Sequence, residues 1–223
     1  MKIKIIIFFC SLTLVCCNKA KNENDVVRDI DGNKYTTVTI GTQIWMRENL
    51  RVTHYRNGDS ILHLINNDDW KNTRMGAYCN YGNDPLNLGT YGHYYNWYCV
   101  NDSRQLAPLG WHIPSKSEWE TLVNYLGGST TAGGKLKETG TQHWSDPNPA
   151  DNGSGFTGLP GGNRSNAFGT YGAMGVIGYH WSSTENDAYI FSSWHCDIFN
   201  STTDIRIDNS PKGNGFSVRC IKD

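Results

Sequence analysis

Apolar and polar residues are arranged along this chain in three ways. The first is a block: Lys2 and Lys4, then a stretch from Ile5 to Cys17 with almost no polar side chain. The second is alternation. Tyr35 to Ile40 alternates β-branched and polar residues, Gly41-Thr42 supplies a turn, and Gln43 to Met46 returns, which predicts a hairpin. The third is helical spacing. Trp119, Leu122, Val123 and Leu126 fall at i, i+3, i+4 and i+7 and form one apolar face. Ser115 stands three residues before Glu118, the capping-box spacing that satisfies exposed amides at a helix start. Gly127-Gly128 marks the end of that helix.

Weaker patterns fill in the remainder. Tyr94, Tyr95 and Tyr98 predict a helix over roughly Tyr91 to Cys99, and a short helix is expected near Ala132–Glu138. Strands are expected at Val176–Ser182, Tyr189–His195, Thr203–Ile207 and Gly215–Ile221; in the last, Phe216, Val218 and Cys220 alternate with Ser217, Arg219 and Ile221. Residues 53–92 show little periodicity and read as a long irregular segment. No internal repeat and no second domain boundary interrupts the pattern.

The opening block has the charged and apolar regions of a secretory signal. Its apolar run is short for a membrane-spanning helix, which takes about 20 residues. It ends in Leu14-Val15-Cys16-Cys17, which resembles the bacterial lipobox, with Cys17 as the lipidated residue and Cys16 as the alternative acceptor. The expected organisation is a lipoprotein signal over 1–16, a polar tether over 17–25 and one domain over 26–223. The expected location is the cell envelope, lipid-anchored, at the outer membrane or cell surface, with the membrane itself as the first partner.

Composition narrows the function classes. The net charge of −1 offers no basic stripe for nucleic acid, so no nucleic-acid partner is expected. A chain rich in Gly, Asn, Tyr and Trp favours short strands and many turns over long helices. Of seven cysteines, Cys79, Cys99, Cys196 and Cys220 lie beyond the leader. An even number in an exported chain reads as two disulfides, and four cysteines allow three pairings. Zinc-type spacing is missing, so neither a metal nor another cofactor is expected.

Eight stretches carry a family resemblance: DIDGNKY (29–35), QIWMRENLR (43–51), YGHYYNWYCV (91–100), LAPLGWHIPSKSEWETL (106–122), YLGGSTTAGGKLKETGT (125–141), GFTGLPGGN (155–163), WSSTE (181–185) and GFSVRCIKD (215–223). In this order they resemble the Fibrobacter succinogenes major paralogous domain, over nearly all of the mature chain. The resemblance implies an exported bacterial protein, often a lipoprotein, with no settled biochemical role. The aromatic helix, the strand entering Pro114-Ser115 and the closing strand are also similar to C-type-lectin-like folds, in the branch of the formylglycine-generating enzymes. That likeness implies an α+β domain with a twisted antiparallel sheet, two main helices and a long loop-rich region over about 140–215. The family comparison implies the pairs Cys79–Cys220 and Cys99–Cys196, whereas the lectin-like comparison implies Cys99–Cys220.

Candidate chemistry is sparse. Gly133-Gly134-Lys135 lacks the full phosphate-loop spacing, and Lys34 occupies the glycine position that a calcium loop requires. His195 and Cys196 are adjacent, so on a strand they face opposite sides and form no nucleophile–base pair. The chain is therefore read as non-enzymatic, with a formylglycine-generating-type oxidase as the least favoured alternative and a structural envelope protein as another. A binding or display module is the main reading. Trp144, Tyr171, Tyr179, Trp181, Tyr189 and Trp194, with Asn152, Asn163, Arg164 and the run Glu185-Asn186-Asp187, combine flat apolar area with polar handles suited to a glycan or a protein ligand. Within that set the expected contacts are Trp181, Glu185, Asn186, Asp187 and Trp194, although core filling competes for each ring.

Overall fold

The computed structural model describes residues 26–223. The expected signal (1–16), the acceptor Cys17 and the tether (17–25) lie outside the described residues. The domain is mixed α+β, with several small, mostly antiparallel sheets and few helices.

β1 (Val27–Arg28) pairs with β2 (Lys34–Tyr35) around a turn closed by Asp29. Its carboxylate accepts the Asn33 amide N–H at 2.9 Å and the Tyr35 hydroxyl at 2.6 Å. The expected hairpin forms as β3 (Thr37–Ile40) and β4 (Gln43–Met46), with Ile40 opposite Gln43. Gly41 sits in the left-handed region at φ +62°, where a Cβ would also lie 2.9 Å from the Tyr125 ring, so glycine is the residue that fits without strain.

Residues 53–92 are more ordered than their pattern suggests. They contain β5 (Leu62–His63), α1 (Asn67–Asn72) with Asn66 as its cap, β6 (Ala77–Cys79) and α2 (Leu88–Tyr91). β6 pairs in parallel with β5 and antiparallel with β7 (Tyr94–Tyr95). The helix expected over Tyr91–Cys99 is therefore broken. Gly92 at φ +73° ends α2, β7 intervenes, and Asn96 caps α3 (Trp97–Val100) by accepting the Cys99 N–H.

β8 (Trp111–His112) leads into α4 (Lys116–Tyr125), whose capping box between Ser115 and Glu118 is fully made. The Gly127-Gly128 stop holds, both residues adopting positive φ. α4 is ten residues long and α5 (Ala132–Leu136) five, so one main helix replaces the expected two. Gly133 of α5 has a different duty from a phosphate loop. A Cβ there would meet the Asp204 carbonyl oxygen at 2.1 Å, so glycine lets the helix lie directly on another backbone segment.

β9 (Asn163–Arg164) and β10 (Tyr171–Gly172) form a small ribbon. The longest sheet is β11 (Ile177–Glu185), β12 (Ser192–Phe199) and β13 (Ile205–Pro211), in that order. β14 (Ile221–Lys222) inserts between β4 and β8. The strand expected over Gly215–Ile221 is thus regular only at its end. Ser217 and Arg219 are buried along with Phe216 and Val218, because protein covers both sides of this segment and no solvent face imposes alternation.

Apolar side chains gather in three clusters. One surrounds Tyr35, Tyr95, Trp97, Trp181 and Phe216; a second joins α4 and α5 to Trp45, Trp144 and Phe156; a third holds Trp70, Cys79 and Tyr94. Trp45 lies 4.8 Å from Trp119 and 5.7 Å from Phe156, centroid to centroid.

The expected disulfides are not made: Cys79, Cys99, Cys196 and Cys220 are four buried free thiols. The reason is placement. Cys79 belongs to the third cluster, Cys196 to the second, and Cys99 and Cys220 to the first, so both family-implied pairs would bridge different clusters. Cys99, which shares a cluster with Cys220, packs beside the Tyr55 hydroxyl. Each cysteine packs as a small hydrophobe.

Candidate functional site

The β11–β12 hairpin gathers most of the expected contact residues, and a break in its ladder explains how. Pairing is regular from Ile177 to Trp181, then shifts before Glu185 meets Ser193. Residues 182–184 leave the ladder and bond elsewhere, as a bulge permits. The Ser182 carbonyl accepts the Trp97 indole N–H at 2.9 Å, the Ser183 N–H reaches the Pro114 carbonyl, and the Thr184 hydroxyl accepts the Lys116 N–H. The hairpin is thereby fastened to the start of α4, and the Lys116 ammonium lies 4.2 Å from the centre of the Trp194 ring.

Beyond the bulge, the tip is built by local bonds. The Asn186 side chain accepts the Ala188 N–H at 3.0 Å, its backbone carbonyl accepts that of Tyr189, and Ser192 closes onto the Tyr189 carbonyl at 2.7 Å. Lys212 buttresses it from outside, donating its backbone N–H to the Phe191 carbonyl and its ammonium to Glu185. These bonds hold Tyr189, Ile190 and Phe191 outward, 66%, 65% and 79% exposed.

Of the five expected contacts, Glu185, Asn186 and Asp187 therefore meet at this tip, with Trp194 half-buried beside it. Trp181 does not. It is fully buried, its indole N–H donating to the Tyr95 carbonyl at 2.8 Å, and it packs 4.4 Å from Phe216. Trp144 is likewise core, and Tyr179 stacks on Phe216 at 4.6 Å. Ile190 and Phe191, expected within a strand, instead precede it and stand exposed on the surface. Their signal was present: three consecutive large apolar residues after a polar turn fit neither strand alternation nor a helix face.

Other polar groups are structural. Arg164, fully buried, donates to the carbonyls of Leu64, Ile65, Asn66 and Gly169 and lies between the Trp70 and Tyr171 rings. Lys137 donates to the carbonyls of Phe199, Asn200 and Thr202 at 2.6, 3.1 and 2.7 Å, and burial pushes its ammonium down to about 8. Arg219 donates to Asn49 and the Phe156 carbonyl, and burial lowers it to about 9. None of these three offers a charge to a ligand.

A line of Ser193, His195 and Asp197 runs along one side of β12, the His195 Nε2 lying 2.7 Å from Asp197, whose other oxygen binds Arg206. These are the residue types of a nucleophile relay, yet none is more than 2% exposed and Phe216 lies 5.0 Å from the imidazole. Cys196 faces the opposite side, as its adjacency to His195 requires. Burial pushes Cys99 up to about 12 and raises Cys79, Cys196 and Cys220, so the thiols stay protonated. Among the described residues, no three His, Cys, Asp or Glu side chains are placed to hold a metal.

The model of the Fibrobacter succinogenes major domain matches residues 38–222. The chain belongs to this family. The matched span runs from β3 to β14, so the family domain covers the second and third apolar clusters, the tip and most of the first cluster, to which Tyr35 of the preceding β2 also belongs. Comparison with curated proteins and with solved structures gives no match.

Proposed function

We propose that this family member is an exported lipoprotein, anchored at Cys17, whose domain is a non-catalytic binding module of the cell envelope, at the outer membrane or cell surface. The β11–β12 tip is its contact element and an envelope protein its ligand. The exposed run Tyr189-Ile190-Phe191 carries this reading. A contiguous exposed apolar patch is uncommon on a soluble surface unless it meets a partner. A projecting tip suits insertion into a pocket on another protein, where buried aromatic anchors dominate binding. The polar handles that a glycan would need are mostly engaged within the tip, Glu185 by Lys212 and Asn186 by its own turn. The protonated, buried thiols and the covered His195 support the absence of catalysis. The leader pattern supports export and anchoring. The passage from β8 into α4 and the closure of β14 between β4 and β8 support the C-type-lectin-like architecture.

Photocrosslinking from position 190 in intact cells, with position 86 as an exposed control, tests this. The expected result is one discrete adduct from position 190 that Phe191→Ser removes while the melting temperature stays unchanged. A saturable glycan-array signal dependent on Tyr189 and Phe191 would move the assignment to a sugar ligand. No adduct and no glycan signal would remove the binding function.

A further inference from the structure

The described domain begins beside a second exposed apolar region, unrelated to the tip. Two adjoining grooves of about 310 and 320 Å³ share Arg28 and Leu109 in their walls. Ile30 lines one; Val26, Trp111 and Lys222 line the other. Leu109 is 85% exposed, Ile30 50% and Val26 45%. The first groove is mainly apolar, and the second, more polar, sets Arg28 and Lys222 beside Val26 and Leu109.

The nearby carboxylates are engaged by other groups, Asp29 within the wall of the first groove itself. Asp29 is buried and accepts from Asn33 and Tyr35, Asp31 binds Thr53 and His54, and Asp223 binds the His112 imidazole at 2.7 Å. Exposed apolar side chains flanked by cations are the chemistry of a lipid interface, in which the chains enter the headgroup boundary and the cations meet phosphates.

The preceding chain decides the occupant. Val26 lies in this surface, and eight residues (18–25) separate Cys17 from it. The nine steps of chain from Cys17 to Val26 span at most about 32 Å, whereas a domain of this size is about 40 Å across. A lipid on Cys17 therefore brings this face, and not the far side, to the bilayer.

We infer that Val26, Arg28, Ile30, Leu109 and Lys222 form a membrane-contact face that seats the domain on the bilayer holding its anchor. This inference rests on the lipoprotein reading above, and its test separates the two. Leu109→Cys and Leu86→Cys chains, both altered at sites 85% exposed, are purified with their lipid and labelled with an environment-sensitive fluorophore. They are then reconstituted into phosphatidylethanolamine–phosphatidylglycerol vesicles, and the mass of the N-terminal peptide reports the lipid independently. The expected result is a lipidated chain whose label at 109 is several-fold less accessible to aqueous iodide than the label at 86. Arg28→Glu with Lys222→Glu should remove that difference without altering the melting temperature. Equal quenching at both sites on a lipidated chain overturns the face and leaves the anchor standing. Protection at 109 in a Cys17→Ala chain without vesicles overturns it too, by assigning the face to a protein contact. A chain without lipid overturns anchor and face together.

Discussion

Around α4, Trp119, Leu122 and Val123 lie on one face and close against Trp45 and Phe156. The loops between α5 and β11 are organised differently. They contain few aliphatic side chains and depend on Lys137, Arg164 and Arg219, each a buried cation whose N–H groups collect carbonyl or amide oxygens from distant parts of the chain. In the first region the side chains bury apolar area while the backbone satisfies itself within the helix. In the second, irregular backbone cannot satisfy itself, and a cation serves several carbonyls at once. The comparison shows how a domain modest in leucine and isoleucine can still bury a long loop region.

Arg164→Met should have the largest effect. It removes donors from four carbonyls while keeping much of the volume, and a loss of about 4 kcal/mol is expected from the cost of unsatisfied buried oxygens. Leu122→Ala probes the helical region and should cost about 3 kcal/mol by leaving a cavity. Chemical denaturation of both variants ranks the two regions; a loss below about 1 kcal/mol for Arg164→Met would remove the distinction drawn here.

Lys137 sharpens the same comparison through pH. Its buried ammonium titrates near 8, against the ordinary 10.5. Between those values the unfolded chain binds a proton that the folded chain does not. The contribution of Lys137 to stability therefore rises with pH from about 8 to about 10.5 and is constant below that window. Denaturation across the window should show a rise in the native chain that Lys137→Met lacks; parallel profiles would contradict it. Ser115→Ala should have the smallest effect, about 1 kcal/mol from the lost cap of α4. It is read as a small drop in melting temperature.

These regions were also unequally legible in the sequence. α4 announces itself because its cap, its apolar face and its stop lie within about a dozen residues and obey local rules. The β3–β4 hairpin and the turn at Asp29 are local in the same way. Arg164 looked like a ligand contact because nothing adjacent to it reveals that its acceptors lie about a hundred residues earlier, at Leu64 to Asn67. Trp181 was misplaced for a similar reason, since its partner Tyr95 lies 86 residues away. The tip was half legible. Its polar run Glu185-Asn186-Asp187 is evident in the sequence, but the strand expected over Tyr189–His195 starts only at Ser192, and the tip holds Tyr189-Ile190-Phe191 into solvent.

The four separate thiols bear on how this chain reaches its native state. With no sulfur joined to another, no step of folding waits for an oxidant or for the reshuffling of a wrong pairing. The described domain should close its three clusters equally well in a reducing or an oxidising solution, and its circular dichroism is expected to be unchanged by dithiothreitol.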